Sequence, residues 1–166
     1  MKRKQWLLFL LALAFALPVH AGGGLNYYTS LGYSPSQALS LRLGIMKDRF
    51  GGEVYAKSDI QRLGQEISAL DGKTYRMSLM GGVSYRPMYN FMITANAGYG
   101  AKGVYRVDAT QTVYGAEDLK AGFEVGLGFH LIVGRSLMLY AGYSVIPDGT
   151  KENRVEEMTI GLGLMF

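Results

Sequence analysis

The sequence predicts an all-β chain, an eight-stranded antiparallel up-and-down transmembrane β-barrel. Three observations carry that expectation. Beyond residue 22 no stretch of about 18 apolar residues occurs, so no segment has the make-up of a membrane helix. The chain divides instead into eight runs with large apolar side chains at every second position. Finally, the links between those runs alternate between short and long.

The N-terminal residues stand outside this pattern. Lys2, Arg3 and Lys4 precede an apolar stretch from Leu7 to Leu17, and Val19-His20-Ala21 supplies small side chains three residues and one residue before a cut. This pattern predicts a secretory signal peptide over residues 1–21, cleaved between Ala21 and Gly22. A retained anchor is the competing reading, but about 11 apolar residues fall short of the roughly 20 that span a bilayer. Trp6, the only tryptophan, and His20 leave with the peptide, and residues 22–166 form a single barrel domain.

Removing residues 1–21 from the 166 takes three of seventeen basic residues and leaves fourteen against thirteen acidic ones. The remaining chain is nearly neutral, so the composition does not support a nucleic-acid partner. The absence of cysteine excludes disulfides and thiolate ligands. No metal site and no cofactor are expected. Twenty-three glycines and twelve tyrosines against four prolines suit a transmembrane barrel better than a helical protein.

The first strand, Leu25 to Ser34, sets Leu25, Tyr27, Thr29, Leu31 and Tyr33 against Asn26, Tyr28, Ser30 and Gly32, and Pro35 ends it. In the second, Ala38 to Lys47, Leu39, Leu41, Leu43 and Ile45 oppose Ser40, Arg42, Gly44 and Met46. The third, Gly52 to Ile60, places Val54, Ala56 and Ile60 opposite Glu53, Tyr55, Lys57 and Asp59. The fourth, Thr74 to Arg86, puts Tyr75, Met77, Leu79, Val83 and Tyr85 outside and Arg76, Ser78, Met80, Ser84 and Arg86 inside.

The fifth, Asn90 to Arg106, has Phe91, Ile93, Ala95, Ala97 and Tyr99 outside. The sixth, Lys120 to Val133, turns Phe123, Val125, Leu127, Phe129 and Leu131 outward and Glu124 and His130 inward. The seventh, Ser136 to Ile146, has the weakest alternation, because an outward Leu137, Leu139 and Tyr143 force Met138 and Tyr140 inside. The last nine residues, Met158 to Phe166, are apolar at 158, 160, 162, 164 and 166, a strand with lipid on one side.

Counted from a periplasmic N terminus, the links at 47–52, 86–90 and 134–135 are periplasmic and short. Those at 61–73, 107–119 and 147–155 are outer and long, and only the outer link at 35–37 is short. Tyr85, Tyr89, Phe91 and Phe166 fall at periplasmic strand ends, and Tyr33, Tyr75, Phe123 and Tyr143 towards outer ends, giving two aromatic girdles. A soluble ligand-binding barrel such as a lipocalin is the alternative. It would have to expose a face of glycine, serine and scattered charges while filling its interior with the bulky set.

In pattern, length and terminal Phe166 the chain resembles the small eight-stranded outer-membrane barrels, the OmpA-type membrane domain and the OmpX-like proteins. The resemblance spans residues 22–166 and implies periplasmic termini, outer-membrane lipids and lipopolysaccharide as surroundings, and a role in anchoring, envelope integrity or adhesion. Phe166, with Leu164 and Leu162 at two-residue steps before it, looks like the signal read by the outer-membrane assembly machinery. Unlike the OmpA type, the sequence has no peptidoglycan-binding domain after the barrel. A monomer is expected, with any extracellular ligand held at 61–73, 107–119 or 147–155.

Eight strands leave an interior that side chains can fill. The expected lumen charge cluster is Arg42, Glu53, Lys57, Asp59, Arg76, Arg86 and Glu124, with His130 beside them. Confined charges must pair, so they form either a plug or, by exchanging partners, a gate for small ions. Inward glycines such as Gly44, Gly82, Gly98, Gly126, Gly128, Gly161 and Gly163 make room for their long side chains. A lipid A-modifying enzyme of the deacylase type would need a serine and a histidine together. His130, in Phe129-His130-Leu131-Ile132-Val133, has no such serine and faces inward, so no enzyme is expected. Gly98-Tyr99-Gly100-Ala101-Lys102-Gly103 matches a dinucleotide fingerprint in letters only, since no helix follows it. Asp71, Asp108, Glu117, Asp118, Asp148, Glu152, Glu156 and Glu157, with Arg62, Lys73, Lys151 and Arg154, are read as solvated loop charges within reach of lipid phosphates.

Overall fold

The computed structural model describes residues 24–36, 38–59, 67–108, 113–147 and 154–166, with residues 113–118 described by backbone alone. The signal segment, with Ala21 and Gly22, lies outside the described residues, as do Ile60, Arg62, Asp148, Lys151 and Glu152. Eight strands form one closed antiparallel barrel: β1 (Leu25–Tyr33), β2 (Ala38–Lys47), β3 (Phe50–Asp59), β4 (Thr74–Met88), β5 (Phe91–Val107), β6 (Val113–Val133), β7 (Leu137–Ile146) and β8 (Val155–Met165). Each strand pairs with its neighbour in sequence, and β8 closes on β1 through Tyr28 opposite Met165 and Leu31 opposite Leu162. Beyond Met165, the Phe166 backbone exchanges hydrogen bonds of 2.8 and 3.1 Å with Tyr27, extending the seam.

The start of β1, Leu25, and the last residue, Phe166, lie at the lower end of the barrel. There the links are two or three residues, between Lys47 and Phe50, Met88 and Phe91, and Val133 and Leu137. Asp48 and Gly134 take the left-handed conformation that such tight turns require (φ 55° and 67°). Longer links face the upper end, apart from the short turn between β1 and β2.

Sidedness follows the pleat. Val83, Ile160 and Leu79 point outward with 66%, 64% and 63% exposure, while Arg76, Glu124 and His130 point inward with none. Bulky apolar side chains outside and charges inside is the inverse of a soluble barrel, and it is the sidedness a lipid solvent demands. In β7, Met138 and Tyr140 do face the lumen, because the outward Leu137, Leu139 and Tyr143 leave them no other side.

Three expectations need correction. The link expected over 107–119 is largely strand: β6 begins at Val113, and β5 and β6 pair up to Val107 opposite Val113 through register shifts near Val104. Among the described residues β6 does not pair with β7 above Val125, so the upper part of the β5–β6 hairpin extends past the described end of β7. Residues Val113 to Leu119 do not carry large apolar side chains at every second position, which is why alternation failed to mark them. Tyr75, expected in the outer girdle, is only 8% exposed, with its ring tilted against Tyr105 at 4.9 Å and packed with Leu70 of a short 3-10 helix, Ile67–Leu70. Glu157, expected in a loop, lies in β8 and faces the lumen.

Candidate functional site

The lumen is filled in layers. At the lower end Met46, Met92, Ile132, Met138 and Met165 pack with Tyr28 into an apolar plug. Unbranched thioether side chains fill an irregular space that branched residues would leave with voids.

Above the plug sits an ion pair wrapped in aromatic rings. Arg42 Nη1 donates to Glu53 Oε1 at 2.5 Å, and both side chains are buried. The Tyr28 hydroxyl donates to Glu53 Oε2 at 2.7 Å, which leaves Ser84 to donate to Tyr28 at 2.6 Å. The Arg42 guanidinium lies over Tyr55 at 3.8 Å and Tyr140 at 4.0 Å, and its Nη2 donates to the Tyr140 hydroxyl. His130 is held between Tyr28 and Tyr140, with ring centroids 5.7 and 4.7 Å away. Neither of its ring nitrogens has a hydrogen-bond partner among the described residues.

A second network crosses the upper lumen. Arg76 donates to Glu124 at 2.7 Å through Nη2 and to Glu157 at 3.1 Å through Nε. Lys57 donates to the same Glu157 oxygen at 2.6 Å, Ser36 donates to its other oxygen, and Ser78 donates to Glu124 at 2.5 Å. Arg42, Lys57 and Arg76 thus meet Glu53, Glu124 and Glu157, three cations against three anions. Equal numbers matter here, because a surplus charge in this enclosed space would carry a desolvation cost of several kcal/mol.

Of the residues expected in the lumen, Arg42, Glu53, Lys57, Arg76 and Glu124 join these networks and His130 packs beside them. Two stand apart. Asp59 is half-buried near the mouth and accepts a hydrogen bond from Tyr105 at 2.7 Å. Arg86 lies at the lower rim beside the plug, where it contacts the Met165 sulfur at 3.6 Å and covers Tyr89. There its charged head reaches solvent while its stem lies on apolar surface. The residue missed from the sequence was Glu157. Thr159 and Gly161 to Met165 had already fixed which positions of β8 face inward, and counting back by twos reaches 157. Among the described residues no group of three His, Asp or Glu side chains is arranged to hold a metal ion.

No family model matches the chain, and no curated protein is significantly similar to it in sequence. Solved structures are similar in fold. The crystal structure of Ail, the attachment invasion locus protein of Yersinia pestis, matches with a TM-score of 0.55 at 16% identity, over 86% of this chain and 95% of that one. The same protein in complex with the heparin analogue sucrose octasulfate matches at 0.59, with the same identity and coverage. The N-terminal β-barrel domain of Pseudomonas aeruginosa OprF matches at 0.53 with 10% identity, over 86% of this chain and 96% of that one. The fold is that of a small bacterial outer-membrane barrel.

Proposed function

We propose that this chain is exported by cleavage after Ala21, assembles in the bacterial outer membrane, and has a structural or adhesive role carried by its upper rim. The observation behind this reading is the closed lumen: a balanced buried ion network stacked on a methionine plug leaves a scaffold rather than a channel. The projecting β5–β6 hairpin, with the links at 60–73 and 147–154, then forms the interaction surface. Ail, similar in fold, has been crystallised with a sulfated sugar, which favours an anionic glycan or lipopolysaccharide as the partner of that rim. In this reading the protein acts as a monomer without cofactor, and His130, enclosed by tyrosines, is not a lipid-facing catalyst.

The test is adherence of whole cells expressing the protein to a sulfated-glycan surface. Replacing residues 108–112 with a glycine-serine linker should abolish adherence while the barrel keeps its heat-dependent gel mobility; undiminished adherence would remove the hairpin tip from the function. A narrow pore is the second reading, favoured by Arg76 being shared between Glu124 and Glu157, an arrangement in which partners could exchange. That exchange would still leave the methionine plug in place below it.

A further inference from the structure

The barrel wall is notched above the short β1–β2 turn. β1 pairs with β8 no higher than Tyr33 opposite Ile160, whereas β8 continues up to Val155 alongside β7. On the other side β3 pairs with β4 no higher than Lys57 opposite Ser78, whereas β4 continues up to Thr74 alongside β5. Between these raised strands, over Pro35 and Ser36, lies a cleft of about 580 Å³. Arg76, Lys102 and Glu157 line it from the lumen side and Glu156 and Met158 from the outside.

Its charges are unbalanced. Glu157 is already held by Lys57 and Arg76, and Glu156 by Arg154 at 2.6 Å. Lys102 is half-buried and has no ion pair or hydrogen bond among the described residues. In register it stands opposite Arg76 on β4, a second cation. Like charges facing each other across strands are destabilising, and an anion in the cleft would offset that. Arg76, fully buried, keeps its Nη1 without a hydrogen-bond partner among the described residues.

The position of the opening points to the source of the anion. It opens beside Met158, 62% exposed, which stands opposite Tyr143 in register, with Tyr33 opposite Ile160 below it, two of the outward aromatic residues of the upper end. Aromatic belts mark the headgroup level. An amphiphile lying there reaches Lys102 sideways, without leaving the membrane, while its chains rest on Met158 and Ile160. We infer that the cleft seats the phosphate monoester headgroup of an outer-leaflet amphiphile, with Lys102 and Arg76 as its counter-ions. The inference rests on the outer-membrane reading above.

Native mass spectrometry of the barrel released from non-ionic detergent tests it. The probes are dioleoyl phosphatidic acid, dioleoyl glycerol as its phosphate-free counterpart, and inorganic phosphate. Phosphatidic acid should bind about tenfold tighter than dioleoyl glycerol, the worth of one charge-assisted hydrogen bond. Lys102→Gln should remove that preference, Lys102→Arg should keep it, and Lys47→Gln at the opposite end should leave it unchanged. Equal phosphatidic acid binding by wild type and Lys102→Gln would overturn the assignment. So would inorganic phosphate binding as tightly as the lipid, which would make the cleft a seat for free anions. Gel mobility with and without boiling confirms that each variant is folded. Recovery of the protein from the outer-membrane fraction separates a failed cleft from a failed membrane reading.

Discussion

Glu157 is the residue on which the upper lumen turns, since it holds Lys57 and Arg76 through one oxygen and Ser36 through the other. Glu157→Gln should cost about 3–5 kcal/mol, because Lys57 stays buried after losing its charged partner. Urea unfolding from lipid vesicles would show this, and the double variant Lys57→Met/Glu157→Leu should lose less than the two single changes added together. A sum of single effects would mean that the pair is not coupled. The lower layer is sensitive in a different way. Gly44 leaves the space that the Tyr28 ring occupies, and a β-carbon there would overlap the ring. Gly44→Ala should therefore push Tyr28 off Glu53 and Ser84 and destabilise the barrel by about 1–3 kcal/mol, the usual cost of overpacking. Gly81, whose β-carbon would meet nothing within 4 Å, is the matched control in the same unfolding experiment.

At the scale of strands, β8 closes the barrel, and its end resembles an assembly signal. Deleting Phe166 removes the last backbone pair of the β1–β8 seam and the terminal aromatic together. It should lower the yield of heat-modifiable barrel in outer-membrane fractions several-fold, whereas Phe166→Tyr should restore it. A yield unchanged by the deletion would leave Leu162 and Leu164 as the only recognised part. Strand alternation made this element, and most of the others, legible in the sequence. Wherever lipid lies on one side and the packed lumen on the other, each residue's polarity is dictated by its parity. That held even for β7, where Met138 and Tyr140 are two large side chains turned inward, because the outward leucines left no other register. It failed in the upper part of β6, which among the described residues has β5 as its only strand partner, so backbone pairing alone defines it. Tyr75 was misplaced for a different reason: the 3-10 helix just before β4 brings Leu70 against it, a contact that strand alternation does not encode. Glu157 was legible and was hidden only by drawing the strand too short.

Across the whole molecule, two barriers lie in series along the barrel axis, and they are of different kinds. The ion network resists passage because each charge is already satisfied by a partner, while the methionine layer resists it because an apolar constriction sheds water. Breaking one leaves the other intact. Planar-bilayer recording should therefore show no discrete conductance from wild type, from Arg76→Gln, or from Glu124→Gln, although the last two unfold more easily. Met92→Ser with Met138→Ser should also remain silent, since the Arg42–Glu53 pair and its tyrosines sit directly above the widened plug. Only a combination of that pair of changes with Arg42→Ser, Tyr140→Ala and Arg76→Gln disrupts the plug, the Arg42–Glu53 pair and the upper network together, and it should give small, short-lived openings. Steady conductance from Arg76→Gln alone would show that the ion network is the sole gate. The pore reading would then displace the scaffold reading, with the methionines reduced to packing that parts as ions pass.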